Sequence, residues 1–339
     1  MSSFSKALFS SLLFTKRFGP LFFTQFLGAF NDNLLRFSII MFLILNVFDG
    51  DSENSRILVA TTGAIFILPF FLFSSLAGEV ADKYEKSKLI KHIKSMEILI
   101  VAIASLGFLI ASYYLLLFAL FLMGTQSTFF GPLKYALLPQ LLEKKELTPA
   151  NAMLQAGTYF AIMTGTILGG LLAGLDGSTS KIIIIHILGF AIAGRTCAHF
   201  IPIATASDDT IVIRRNLPKA TVSIVKEAIS DRLNLKLIFL ISGFWFTSSA
   251  FVAAVPTYAK LLLGADANVI TILNVAFVIG IGLGAFLCTM LTRGQIRPYL
   301  ILLGAIGVGL TSLTVLAQGT PPISSNLLQL DNFLSSRFA

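Results

Sequence analysis

Long apolar runs alternate with short basic segments along the whole chain. The runs fall at Phe18–Phe48, Ile57–Val80, Ile98–Ser112, Tyr114–Leu142, Ala150–Leu175, Ile182–Ile203, Leu235–Leu263, Val269–Leu291 and Pro298–Ala317. Runs of this kind predict membrane-spanning helices, because ~20 apolar residues at ~1.5 Å each cover the ~30 Å hydrocarbon core. The third run is short, and Leu89–Glu97 extends it as helix toward the interface. The pattern predicts an all-α polytopic membrane protein with nine spans.

The polar positions inside these runs are the informative ones. Asn31, Asp32, Asn33 and Arg36 fall near the middle of the first run. Ionisable groups at membrane depth cost several kcal/mol unless they face protein or water. Asp32 and Arg36 are four apart and share a helix face. They form either a self-neutralising pair or one side of a solute path. In the fourth run, Pro132 removes an amide donor and predicts a kink, with Lys134 two residues beyond it. Lys134 either snorkels toward the cytoplasmic end near Leu142 or points into a cavity. In the fifth run Gly157, Ala161, Gly165, Gly169 and Ala173 recur every four residues, a face for close helix packing, and Gly280 and Gly284 begin a similar one.

Composition agrees with this class. The 339 residues are 55% hydrophobic and 12% charged, with a mean hydropathy of +0.85. A soluble domain carries about twice that charge fraction. The formal net charge of +8 is spread over short loops and gives no nucleic-acid face. Cys197 and Cys288 lie in apolar runs and make neither a metal motif nor a disulfide framework, so no metal or cofactor is expected.

Lysine and arginine set the orientation. One side holds Lys6, Lys16, Arg17, then Lys83, Lys86, Lys88, Lys91, Lys94, then Lys144 and Lys145. It continues with Arg214, Arg215, Lys219, Lys226, Arg232 and Lys236 in a central loop, and with Arg293 and Arg297. The other side holds Arg56, Lys181 and Lys260. The excess predicts a cytoplasmic N-terminus. The apolar stretch before Lys16 is short and lacks a small-residue cleavage site, so it reads as a retained interfacial arm. Residues 1–203 form a six-helix half and residues 204–234 a cytoplasmic loop with an amphipathic helix near Lys219–Arg232. Residues 235–317 form a partial second half, and residues 318–339, broken by Pro321 and Pro322, do not span.

Two motifs point to a family. Gly78–Lys88, G-E-V-A-D-K-Y-E-K-S-K, resembles the loop signature of the major facilitator superfamily, with Glu85 where a second glycine is usual. N-D-N-L-L-R-F in the first run, G-P-L-K-Y-A-L-L-P-Q in the fourth and L-T-P-A-N-A-M-L-Q-A-G-T-Y opening the fifth resemble the bacterial lysophospholipid transporter branch. G-F-W-F-T and V-P-T-Y-A-K in the seventh run continue the likeness more weakly.

The resemblance implies inward movement of lysophosphatidylethanolamine and lysophosphatidylglycerol across an inner membrane. A cytoplasmic acyltransferase or acyl carrier protein ligase would be the partner. It implies Asp32 and Lys134 as the main functional charges, with Asn31, Asn33, Arg36, Gln126, Asn151 and Gln155 as further substrate contacts. It implies Gly78, Asp82 and Lys83 as a conformational tether between the halves. The family has twelve spans, so the resemblance also implies a chain shortened at its C-terminus.

Other classes fit less well. His92 with Glu97 five residues on is the nearest approach to an acyltransferase base and orienter, and it lies in a lysine-rich segment running into a span. No G-x-x-x-x-G-K-[ST] loop is present to drive transport with a nucleotide. A drug or small-solute exporter of the same superfamily, or a non-transporting membrane protein, remains the alternative.

Overall fold

A computed structural model describes residues 12–46, 52–173, 179–208, 210–214, 217–261, 267–292 and 299–317. All regular structure in these residues is helical: α1 Gly19–Asn46, α2 Ser52–Lys83, α3 Lys86–Leu109, α4 Tyr113–Leu141, α5 Lys144–Ala173 and α6 Thr179–His199, then α7 Leu217–Ser230, α8 Arg232–Leu261, α9 Ala267–Thr292 and α10 Tyr299–Ala317. Within α1, α2, α3, α4, α6 and α9 lie segments long and apolar enough to cross a membrane. The amphipathic helix expected near Lys219–Arg232 is α7. Most of the interfacial arm and all of the tail expected not to span lie outside the described residues.

The third span bears out the extension of the short run through Leu89–Glu97. It starts at Lys86 and ends at Leu109, and Ala111 then turns with φ 49° into Ser112, whose hydroxyl accepts from the Leu115 amide at 3.4 Å. The helical period puts Ile90, Lys94, Glu97, Val101, Ala104 and Phe108 on one stripe, and every one of them is buried, although Lys94 counts with the loop charges in the sequence. Lys94 therefore belongs to the interior of the bundle and leaves the tally of loop charges.

The chain divides into two compact units, Met1–Val225 and Lys226–Ala339. In the first, α1 packs on α5 and α6, α2 on α4, and α3 on α4 and α6. The small face of α5 is what lets α1 approach. A Cβ at Gly165 would collide with the Phe30 carbonyl, one at Gly169 would lie 2.7 Å from the Leu34 carbonyl, and one at Gly157 would lie 2.7 Å from the Phe22 ring. The first two are contacts against backbone and the third against a ring, the close approach small residues permit inside membranes. Ser38 adds a hydrogen bond to the Gly169 carbonyl at 3.4 Å.

Two apolar layers fill this unit. One gathers Leu34, Ile39 and Leu43 with Val101, Phe108, Leu116 and Met123. The other gathers Phe18 and Leu21 with Ile90, Leu133, Leu137 and Leu154. Along α3 and α4 the polar residues fall between these layers. In the second unit α8 packs against α9. Gly280 and Gly284 have open space where a Cβ would stand, so their face meets no described partner.

Candidate functional site

Helix α3 carries the residue that assembles the site. Glu97 is fully buried, and its carboxylate gathers donors from three helices. Asn31 Nδ2 of α1 reaches Oε1 at 3.1 Å, while Gln126 Nε2 of α4 at 3.3 Å and Lys94 Nζ at 2.5 Å reach Oε2. Lys94 is buried just as deeply. Its ammonium also lies 5.3 Å from the centre of the Phe130 ring. A Cβ at Gly28 would collide with it, so that glycine leaves the notch it occupies, while one at Gly194 would only touch it at 3.9 Å. Removing one partner of such a pair leaves an uncompensated buried charge, a cost of about 3–5 kcal/mol.

Asp32 lies next to this cluster. Its Oδ2 accepts from the Ser127 hydroxyl of α4 at 2.5 Å, and Ser127 Oγ is also 3.2 Å from Gln126 Oε1. Its Oδ1 is buried with no hydrogen-bond partner among the described residues, and so is Oδ1 of Asn31. An unsatisfied buried acceptor costs about 1–3 kcal/mol, and more for a charged group. Here two of them stand side by side in sequence, on Asn31 and Asp32.

The pairing of Asp32 with Arg36 is not what forms. Arg36 donates to Asn33 Oδ1 at 3.3 Å and lies over the Phe66 ring at 5.7 Å, while Asp32 turns to Ser127. Residues four apart share a face, but the α4 hydroxyl offers Asp32 a short bond that the guanidinium does not.

The remaining candidates are spread around this layer. Lys134 has no carboxylate partner among the described residues. It lies over the ring of its neighbour Tyr135 at 5.0 Å. Gln155 donates to the Tyr135 hydroxyl at 2.9 Å, which ties α5 to the Lys134 turn. Asn151 bonds only the Leu147 carbonyl of its own helix, and Asn33 likewise donates to Ala29. The structure thus brings Asn31, Asp32 and Gln126 together and leaves Asn151 apart. Ser127, Lys94 and Glu97 were not singled out as binding residues from sequence. The signal for the last two is the buried stripe of α3, in which two of six positions are charged.

The loop signature has a different surrounding. Gly78 has open space, Asp82 is exposed, and Lys83 lies 5.9 Å from the Tyr84 ring centre. The Asp82 carbonyl accepts from the Ser207 and Asp208 amides at 2.9 and 3.1 Å, while its carboxylate has no partner among the described residues. Glu79 takes both the backbone amide of Arg214 at 2.8 Å and its Nε at 2.6 Å. Lys86 donates to the Thr205 carbonyl at 3.1 Å and to Ser207 at 2.8 Å, and Gln140 also reaches Thr205 at 3.3 Å. The stretch after α6 therefore straps the ends of α2, α3 and α4. Glu85 caps the start of α3 where the family has glycine. Burial raises its carboxyl, but bonds from Ser87 and the Ala204 backbone together with the charge of Lys88 hold it below the usual carboxylate range.

Comparison with known proteins follows this geometry. A family model described as the Major Facilitator Superfamily matches residues 21–330. The chain belongs to that superfamily. It is similar to the Lysophospholipid transporter LplT of Photorhabdus laumondii, at 26% identity over 87% of this chain and 72% of that protein. The transporter of the same name from Escherichia fergusonii is 27% identical, and that of Shigella sonnei 26%, over the same shares. Superfamily membership accounts for the all-α membrane fold and makes the chain a membrane transporter in class. Its buried polar layer joins α1 and α4, which carry two of the motifs quoted from the sequence, to α3, which carries none of them. Among the described residues no cluster of His, Cys, Asp or Glu is arranged to hold a metal.

Proposed function

We propose that the chain moves lysophospholipids, lysophosphatidylethanolamine and lysophosphatidylglycerol among them, inward across a bacterial inner membrane, with its N-terminus in the cytoplasm. The observation that carries this reading is Asp32 Oδ1, buried with no hydrogen-bond partner among the described residues, together with Lys134 on the neighbouring α4, which makes no ion pair among them and lies over the Tyr135 ring. A head group with an ammonium and a phosphate satisfies both, the ammonium at Asp32 and the phosphate at Lys134. A glycerol head group uses its hydroxyls as donors to the same oxygen. The names of the similar transporters support the substrate class.

Asn31 and Gln126 border this position, and Arg36, Asn33, Asn151 and Gln155 act from further out. No bond is made or broken; reacylation belongs to a cytoplasmic acyltransferase or acyl carrier protein ligase acting on the delivered lipid. Gly78, Asp82 and Lys83 serve as the tether of the loop signature, which the free Asp82 carboxylate leaves available for a helix N-terminus.

Cells lacking endogenous uptake and supplied with labelled lysophosphatidylethanolamine test the proposal. Expression of the chain is expected to bring the label into the cell and into diacyl lipid. Well-expressed protein with no uptake, or uptake of an unrelated small solute instead, would overturn it.

A further inference from the structure

We propose that Glu97 is the positioning residue for Asp32: it never meets the substrate, and it fixes the two residues on which the geometry of Asp32 depends. The inference rests on the lysophospholipid reading for its transport arm only.

Glu97 holds Asn31, which directly precedes Asp32 on α1, and Gln126, which directly precedes Ser127 on α4. Ser127 is the donor to Asp32 Oδ2. One carboxylate thus sets the rotation of both helices at the level where Asp32 and its donor meet.

The competition at Ser127 explains why the setting matters. A hydroxyl has one hydrogen, and Ser127 has two acceptors in reach, Asp32 Oδ2 at 2.5 Å and Gln126 Oε1 at 3.2 Å. With its amide nitrogen held by Glu97, Gln126 keeps its oxygen at the longer distance, and the hydrogen goes to Asp32. This leaves Oδ1 as the open oxygen. A Gln126 released from Glu97 is free to turn its oxygen onto Ser127, and Asp32 then loses the bond that orients it.

Lys94 holds Glu97 in place. Its ammonium is confined by Gly28 and the Phe130 ring, so the pair has little room to rearrange. A buried ion pair is weak evidence of a stability role, since well-packed neutral replacements are often no less stable. Four helices, α1, α3, α4 and α6, are arranged around this one, and its bonds run toward Asp32.

The test uses the full chain reconstituted in phospholipid vesicles. Because Glu97→Gln alone strands a buried ammonium, the variant is Lys94→Met with Glu97→Gln, compared with Asp32→Asn and with all three changes together. The double variant is expected to enter vesicles normally and to raise the KM for lysophosphatidylethanolamine about tenfold, with a smaller change in maximal rate. Added to Asp32→Asn it is expected to do little more, because both changes remove the same alignment. Independent, multiplying losses, or an unchanged KM, would show Glu97 to be structural.

A second readout needs no transport. The carboxylate stretch of Asp32, isolated as the infrared difference between the chain and Asp32→Asn, should shift in the double variant. An unshifted band would overturn the positioning role. Absence of lysophospholipid transport by the unaltered chain strikes the functional reading instead, and the infrared band still decides the role of Glu97.

Discussion

Glu97 of α3 accepts a hydrogen bond from Asn31 of α1 at 3.1 Å, across 66 residues of chain. That bond ties the polar centre of the first helix to a charged stripe on the third. With the bonds to Gln126 and Lys94 it makes one buried layer between two apolar ones. The layer leaves two acceptor oxygens unused, on Asn31 and Asp32, and that surplus is what a transported head group would engage.

The notch at Gly28 gives a packing prediction. Replacing Gly28 with Ala places a methyl group on the Lys94 ammonium and forces it off Glu97. The loss is expected to be about 1–3 kcal/mol, seen as a lower unfolding temperature of the detergent-solubilised protein. Gly189→Ala, at a position on α6 with open space, serves as the control and should leave the temperature unchanged. Equal behaviour of the two variants would contradict the notch.

Close approach of α1 and α5 gives a second. Gly165→Leu cannot be accommodated against the Phe30 carbonyl without separating the helices. Folded protein recovered from membranes should fall sharply, because α1 carries Asn31 and Asp32 and loses its support. Normal recovery with normal stability would mean that the helices do not pack at this face.

The strap after α6 predicts a protease effect. Glu79→Ala removes the acceptor of both Arg214 bonds. The ion pair is partly exposed and contributes less than about 1 kcal/mol, so overall stability should barely change. Trypsin cleavage after Arg214 should nonetheless speed up several-fold, since the backbone there loses its anchor. Unchanged cleavage would show that Glu79 does not hold the strap.

Much of the architecture was legible from the apolar runs. The positions of α1, α2, α4 and α6 follow from run length alone, and the amphipathic α7 from its charge pattern. The extension of α3 through Leu89–Glu97 was legible too, but the burial of its charged residues was not, because the stripe they form is buried in protein rather than exposed to water. Asn31, Asp32 and Gln126 were visible as polar residues at membrane depth. Glu97 was hidden because its lysine looked like a loop charge and its partners lie 66 and 29 residues away. The Asp32–Arg36 pair was the natural local expectation, and Ser127, 95 residues on, took its place.

Orientation is tested without function. A reporter fused near Asp209 is expected on the cytoplasmic side and one near Gly177 on the outer side. The reverse pattern would show that the excess of basic loop residues does not orient this chain.

The charges themselves give the sharpest test of the transport account. Purified chain in vesicles should translocate labelled lysophosphatidylethanolamine across the bilayer faster than empty vesicles do. Asp32→Asn and Lys134→Ala should each remove most of that activity, at least tenfold, while both proteins remain folded; Lys134→Arg should keep part of it, because a phosphate still finds a cation there. Translocation at the full rate in both Asp32→Asn and Lys134→Ala would contradict the account and return both residues to a structural role.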